Sequence, residues 1–132
     1  MLKHALLILT IVALWSCSSK RNQLIGQWEV NNKFYHAIYE ISEEGENLAG
    51  QVLYYNDGTT SYNYKDGAEK HYVFKNLIQK EERFVDGVSG ATSSNVEQEP
   101  QWVLEFSTEQ SLKVQKMIMD KPLTEYWYKR NK

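Results

Sequence analysis

Residues 84–95 read FVDGVSGATSSN, and within them Asp86, Ser89, Gly90, Ala91 and Thr92 follow the spacing Asp-x-x-Ser-Gly-Ala-Thr. A threonine hydroxyl set among glycine, alanine and serine is open to a modifying enzyme, because small neighbours let a bulky transferase reach it. The same composition makes a turn between two strands. Glycine supplies positive φ there, and Asp and Ser side chains bond to nearby backbone. Which chemistry applies depends on the compartment and on the elements that hold the loop.

Other reactive constellations are sparse. After the N-terminal apolar run the histidines are His36 and His71. His36 falls on the outward side of its segment and His71 in a separate one. Zinc needs three or four ligands, and no cysteine or close histidine spacing completes the set, so no metal is expected. No Gly-x-Ser-x-Gly elbow and no base placed near a serine point to nucleophilic catalysis, so the chain reads as non-enzymatic.

From Leu24 onward the hydrophobic period is two. Segments such as YHAIYEIS, GQVLYY, QWVLEFS, LKVQKMIM and TEYWYKR are rich in aromatic and β-branched residues. Gly, Asn, Asp and Ser punctuate them, the pattern of an antiparallel sandwich or barrel. Register then decides which face each side chain takes, because a slip of one residue exchanges the faces. A turn at Asn32-Lys33 puts Val30 opposite Tyr35, Trp28 opposite Ala37 and Gly26 opposite Tyr39. Across SEEGEN, Ile41 meets Leu48, Tyr39 meets Gly50, Ala37 meets Val52 and Tyr35 meets Tyr54. The STEQS turn sets Phe106 against Leu112, Leu104 against Val114 and Trp102 against Lys116. A turn at Asp120-Lys121 sets Lys116 against Glu125, Val114 against Trp127 and Leu112 against Lys129. One face therefore carries Trp28, Tyr35, Tyr39, Tyr54, Trp102, Phe106 and Trp127, enough rings either to line a pocket or to fill it. Lys116 breaks that face. An inward ammonium costs several kcal/mol unless paired, and here Glu125 and the face of Trp102 lie beside it. Lys116, Glu125, Trp102, Tyr39, Tyr54 and Trp127 are the candidate ligand-binding residues.

The chain opens MLKHALLILTIVALWSCSSK. An apolar run of about ten residues after Lys3 is too short to span a bilayer and suits a signal-peptide core. LWSC resembles the lipobox of bacterial lipoproteins, which implies cleavage after residue 16 and lipidation of Cys17. Cys17 is the chain's one cysteine, so it has no disulfide partner. Ser18 resembles an outer-membrane sorting signal, and the acidic cluster of surface-exported lipoproteins is missing. The expected organisation is a signal peptide at 1–16, a lipidated tether at 17–23 and a single domain at 24–132, on the periplasmic side of the outer membrane. The mature chain carries 14 Lys and Arg against 17 Asp and Glu, a formal charge of −3, with the signs interspersed. No basic stripe suits nucleic acid, membrane contact is expected through the lipid alone, and a monomer is expected.

Gly26-x-Trp28, Leu48-x-Gly50-x-Val52, Leu112-x-Val114 and Trp127-x-Lys129 resemble the motifs of lipocalin-like small secreted bacterial barrels. The resemblance implies an all-β, antiparallel up-and-down barrel of about eight strands. It also implies that Trp28 closes the barrel floor beneath Lys129 or Arg130. Such an interior is wide enough for side chains or one small ligand. Asp86-x-x-Ser89-Gly90-Ala91-Thr92 is similar to the signature at which exported redox proteins carry FMN, esterified through its phosphate to the threonine. The leading expectation is a binder of a small apolar or amphipathic molecule. The alternatives are an electron-transfer protein with covalent FMN on Thr92, and an envelope accessory protein using the outward Met117, Met119, Tyr126 and Tyr128 on another protein.

Overall fold

The computed structural model describes residues 20–86 and 101–131. Nine strands follow one another: β1 (Gly26–Asn31), β2 (His36–Glu44), β3 (Asn47–Asn56), β4 (Ser61–Asn63), β5 (Tyr72–Lys80), β6 (Arg83–Asp86), β7 (Trp102–Thr108), β8 (Ser111–Ile118) and β9 (Lys121–Lys129). Consecutive strands pair antiparallel, except that β5 pairs with β3 instead of β4, and β9 returns to β1. The result is a closed up-and-down barrel of eight strands, with β4 extending the sheet beyond the end of β3. Closure leaves no free edge around the barrel waist.

Three hairpins differ from the expected register by two residues, and each has a local cause. Val30 faces Ala37, Trp28 faces Tyr39 and Gly26 faces Ile41. The turn is a four-residue loop because the Asn32 carboxamide oxygen accepts the N–H groups of Phe34 and Tyr35 at 2.8 and 3.1 Å. That Asx geometry holds the loop open where a two-residue turn was expected. Between β2 and β3, Ile41 faces Gly50 and Tyr39 faces Val52. Gly45 takes φ 67° and lets the chain reverse between Glu44 and Asn47. Between β8 and β9, Val114 faces Glu125, Leu112 faces Trp127 and Lys116 faces Leu123. Lys121 precedes Pro122, which confines it to extended backbone, so the two left-handed turn positions fall on Met119 and Asp120. The β7–β8 register is as expected, with Trp102 opposite Lys116, Leu104 opposite Val114 and Phe106 opposite Leu112.

Shifts of two residues keep each side chain on its face, so the inward set largely survives. The exception is the mouth half of β3. Tyr39 pairs with Val52 but Ile38 pairs with Tyr54, leaving Leu53 as an extra residue. This bulge exchanges the faces beyond it. Tyr54 therefore turns outward, edge-on to His36 at 5.1 Å, and Tyr55 turns inward to stack on Tyr35 at 5.6 Å.

The interior is packed with rings. Trp127, fully buried, lies 4.6 Å from Tyr39, 6.2 Å from Phe74 and 6.0 Å from Trp102 between ring centroids. Phe106 bridges Trp28 and Phe84 at 6.1 and 6.5 Å. Rings crossing from β1, β2, β5, β6, β7 and β9 occupy the space that could have been a deep pocket. Gly50 makes one approach possible, since a Cβ there would stand 2.7 Å from the Phe74 ring. The ring that covers this strand glycine comes from β5, and Tyr39, expected opposite Gly50, pairs with Val52.

One end of the barrel is sealed. Residues 20–24 form a helical turn, and Leu24 is fully buried. The Trp28 indole N–H donates to the Leu24 carbonyl at 2.8 Å. Lys20 pairs with Glu82 in the β5–β6 turn, and Arg21 reaches Glu43 at 2.5 Å and the Glu46 carbonyl at 3.2 Å, both by the β2–β3 turn. Of the expected tether, residues 20–23 thus belong to the folded barrel. One turn is too short to show a helical period in sequence.

Candidate functional site

At the sealed end, the expected pairing of Trp28 with a late basic residue resolves to Lys129. Its ammonium sits 4.9 Å from the Trp28 ring centroid and donates to the Ile25 carbonyl at 3.0 Å and to the Gln23 carbonyl. Burial lowers the Lys129 pKa from its ordinary value. Arg130 takes no part in that stack. Its backbone and guanidinium both turn to Gln27.

The opposite end holds the polar cluster. β8 carries Lys116 inward near its mouth end, and β9 carries Glu125 diagonally across from it. The Lys116 ammonium is 3.4 Å from the Glu125 carboxylate, with 16% and 5% of the two side chains exposed. Lys116 also stands 5.6 Å from the Trp102 ring centroid. Both relations were expected from the hairpin pattern, and the two-residue slip makes the pair diagonal instead of directly opposed.

The third member comes from the Asn32 loop. The Tyr35 hydroxyl reaches both oxygens of Glu125, and Lys116 donates to it at 3.2 Å. The Lys116 ammonium lies 4.8 Å from the Tyr35 ring as well. From below, the Trp127 indole N–H donates to Glu125 at 2.9 Å. Glu125 thus receives a phenol, an indole and an ammonium, which is how a buried carboxylate offsets its desolvation. Burial, then the neighbouring Tyr39 and the bond to Glu125, push the Tyr35 pKa far above its ordinary value. Burial raises that of Tyr39 also. Both phenols stay neutral donors through the physiological range.

Six residues were expected to meet a ligand, and they divide by depth. Lys116 and the half-buried Trp102 stand at the mouth, with Glu125 just beneath. Tyr39 and Trp127 are buried under them and form the floor of the cluster. Tyr54 is on the outer face, for the reason the Leu53 bulge gives. Tyr35 and Tyr55 complete the site in its place. Asn32 beside an aromatic pair was the available signal for Tyr35, whereas nothing local marks a bulge at Leu53.

Asp86, the first residue of the Asp-x-x-Ser-Gly-Ala-Thr stretch, lies at this same end. Asp86 closes β6, and its carboxylate accepts the Trp102 N–H at 2.9 Å, clamping the start of β7. Partial burial raises the Asp86 pKa, opposed by that backbone bond and those to Asp86 and Gln101. Ser89, Gly90, Ala91 and Thr92 lie outside the described residues, as does Cys17.

Fold and site together define a closed, ring-filled eight-stranded barrel with an ammonium–carboxylate–phenol cluster at one mouth. No protein-family model, curated protein or solved structure matches the chain.

Proposed function

We propose that the chain is a lipid-anchored periplasmic protein, held to the outer membrane through Cys17, that binds a small amphipathic molecule at the barrel mouth without chemistry. The observation that supports this most is the paired Lys116 ammonium among the Tyr35 and Trp102 rings at the end of the barrel opposite Trp28. Apolar residues of similar volume would fill such a place at equal or lower cost. An ammonium with a spare donor suits the polar head of a ligand, and Trp102 and Tyr55 offer rings to its apolar body. Because Trp127, Phe74 and Tyr39 fill the middle, the ligand sits in the mouth and not deep in the barrel.

The test is titration with a fluorescent amphiphile carrying a carboxylate, read by energy transfer from tryptophan. Lys116→Met should weaken binding about tenfold, the loss of roughly one charge-assisted hydrogen bond. Equal affinity in wild type and Lys116→Met would end this reading. Detergent-phase partitioning of wild type but not of Cys17→Ser checks the anchor separately.

Covalent FMN on Thr92 is the second reading, supported by where its loop departs. Asp86 and Trp102 place the ends of residues 87–100 at the mouth, away from the sealed end. The Asp86 carboxylate already has a partner in the chain's own backbone, so its place in the signature has a sufficient structural reason.

A further inference from the structure

The β8–β9 ribbon outruns its neighbours on both sides. Its pairing with β7 ends at Lys116–Trp102, followed by a bond from the Met117 N–H to the Gln101 carbonyl at 3.0 Å. On the other side, β1 meets β9 at Trp28–Lys129 and Glu29–Tyr128 and ends at Asn31. Among the described residues, the segment from Ile118 to Leu123 therefore extends past the strands that flank it. Its side chains are the wrong ones for a free turn: Met119 is 93% exposed, Ile118 47% and Leu123 41%. The next loop on the rim carries Phe34, 67% exposed. The two are close, because Tyr35 follows Phe34 and its hydroxyl bonds Lys116, two residues before Ile118.

The turn backbone makes the choice of Met119 more pointed. Met119 and Asp120 have φ of 51° and 63°. A two-residue turn with both positions left-handed favours Asn-Gly, since a side chain with Cβ is strained there. Methionine accepts that strain and packs against almost nothing in the folded chain. Pro122 fixes where the turn falls, but no packing among the described residues accounts for a methionine at its tip.

We propose that the Ile118–Leu123 ribbon tip and the Phe34 loop form a lipid-contacting rim, which sinks Phe34, Ile118, Met119 and Leu123 into the headgroup layer of a phospholipid bilayer. Two features favour lipid over a protein partner. The four side chains are separate projections on two turns, far short of the roughly 800 Å² per partner that a stable protein interface covers. A fluid headgroup layer moulds around such projections. Each turn also carries a lysine: Lys33, 5.2 Å from the Phe34 ring, and Lys121 beside the turn, against one carboxylate, Asp120. Apolar tips flanked by lysines are suited to an anionic interface. The inference deepens the proposed function and rests on it in one respect: the two tips stand beside the Lys116 cluster, so an amphiphile would have a short path between bilayer and mouth. Residues 20–24 lie at the opposite end, so an anchor on Cys17 and this rim would engage different membrane surfaces.

The test immobilises the full chain on beads through its C-terminus, which ends beside the sealed end, and offers fluorescent vesicles of phosphatidylethanolamine and phosphatidylglycerol. Wild type should capture vesicles, and F34D combined with M119D should capture about a hundredfold fewer, since each apolar side chain contributes roughly tenfold. Both sites are exposed, so near-ultraviolet circular dichroism of the buried tryptophans should be unchanged in the variant. Equal capture by both proteins would place vesicle binding elsewhere in the chain and overturn the rim. No capture by wild type would overturn it as well. Retention of a soluble envelope protein by wild type and not by the variant, without vesicle capture, would reassign the tip to a protein partner. Amphiphile titration of the same variant, expected to be unchanged, keeps failure of the rim distinct from failure of the mouth.

Discussion

The Tyr35 hydroxyl lies 2.6 and 2.5 Å from the two carboxylate oxygens of Glu125, a residue 90 positions away in the chain. That bond ties the first hairpin loop to the last strand across the barrel mouth. It also makes Lys116, Glu125 and Tyr35 one unit, in which removal of any member changes the burden on the others.

The energetic consequence is asymmetric. Glu125→Ala leaves the Lys116 ammonium without its counter-charge and the Tyr35 hydroxyl and Trp127 indole without their acceptor, and should cost about 3–5 kcal/mol of unfolding free energy. Lys116→Met together with Glu125→Leu removes both charges and should cost less than Glu125→Ala alone. Tyr35→Phe, which takes one donor from a carboxylate with two others, should cost about 1.5–3 kcal/mol. Urea denaturation of the three variants orders these losses. A double variant less stable than Glu125→Ala would mean that the pair stabilises the barrel outright.

Gly50 tests the packing of the barrel wall. Alanine there would put Cβ 2.7 Å from the Phe74 ring, and Phe74 stacks on Trp127 and packs edge-on to Trp102. The ring has no free space to enter, so Gly50→Ala should cost about 1–3 kcal/mol, the usual range for overpacking. Gly58→Ala is the control for surroundings, because nothing stands within 4 Å of its Cβ position. Its φ of 88° still strains alanine, so a modest loss is expected there too. A larger loss at Gly58 than at Gly50 would show that Phe74 yields.

Much of this arrangement is legible in the sequence because the hairpins depart from the simplest register in steps of two. Asn32, Gly45 and Pro122 each moved a turn, yet Trp28, Tyr39, Trp102, Phe106 and Trp127 kept their inward faces. Lys116 and Glu125 met for the same reason, although their neighbours changed. What failed was parity within a strand. Nothing in GQVLYYN announces that Leu53 is the extra residue, so Tyr54 and Tyr55 exchanged places. The reach of Tyr35 to Glu125 was equally hidden, since sequence pattern constrains adjacent strands and says little about a loop residue leaning over a mouth.

Asp86 supplies a pH test with a defined sign. Its folded pKa is raised above the ordinary carboxylate value, with partial burial the largest cause. The folded state therefore binds the proton more tightly than the unfolded chain does. The contribution of this group is full below the unfolded pKa, and is lost as pH rises through the folded one. Asp86→Asn keeps an oxygen to accept the Trp102 N–H and has no charge to desolvate. Its stability relative to wild type should rise with pH from about 4 upward, by the ordinary range for a free aspartate, and then level off. A difference that stays flat between pH 3 and pH 7, about one unit below and three above that value, would assign the bond no electrostatic cost.

The loop beyond Asp86 decides between the two readings of the protein. If Thr92 carries FMN through a phosphoester, the flavin survives boiling in detergent, whereas a ligand held by ring contacts and one ammonium does not. Co-expression with an FMN transferase from a flavin-rich bacterium, followed by in-gel fluorescence, separates the cases. With the mouth as a simple binding site, no fluorescent band is expected, because Asp86 is already occupied as the clamp on β7 and the loop needs no further reason for its composition. A band that persists through denaturation, vanishes in Thr92→Val and remains in Ser93→Ala would replace the binder with a redox protein.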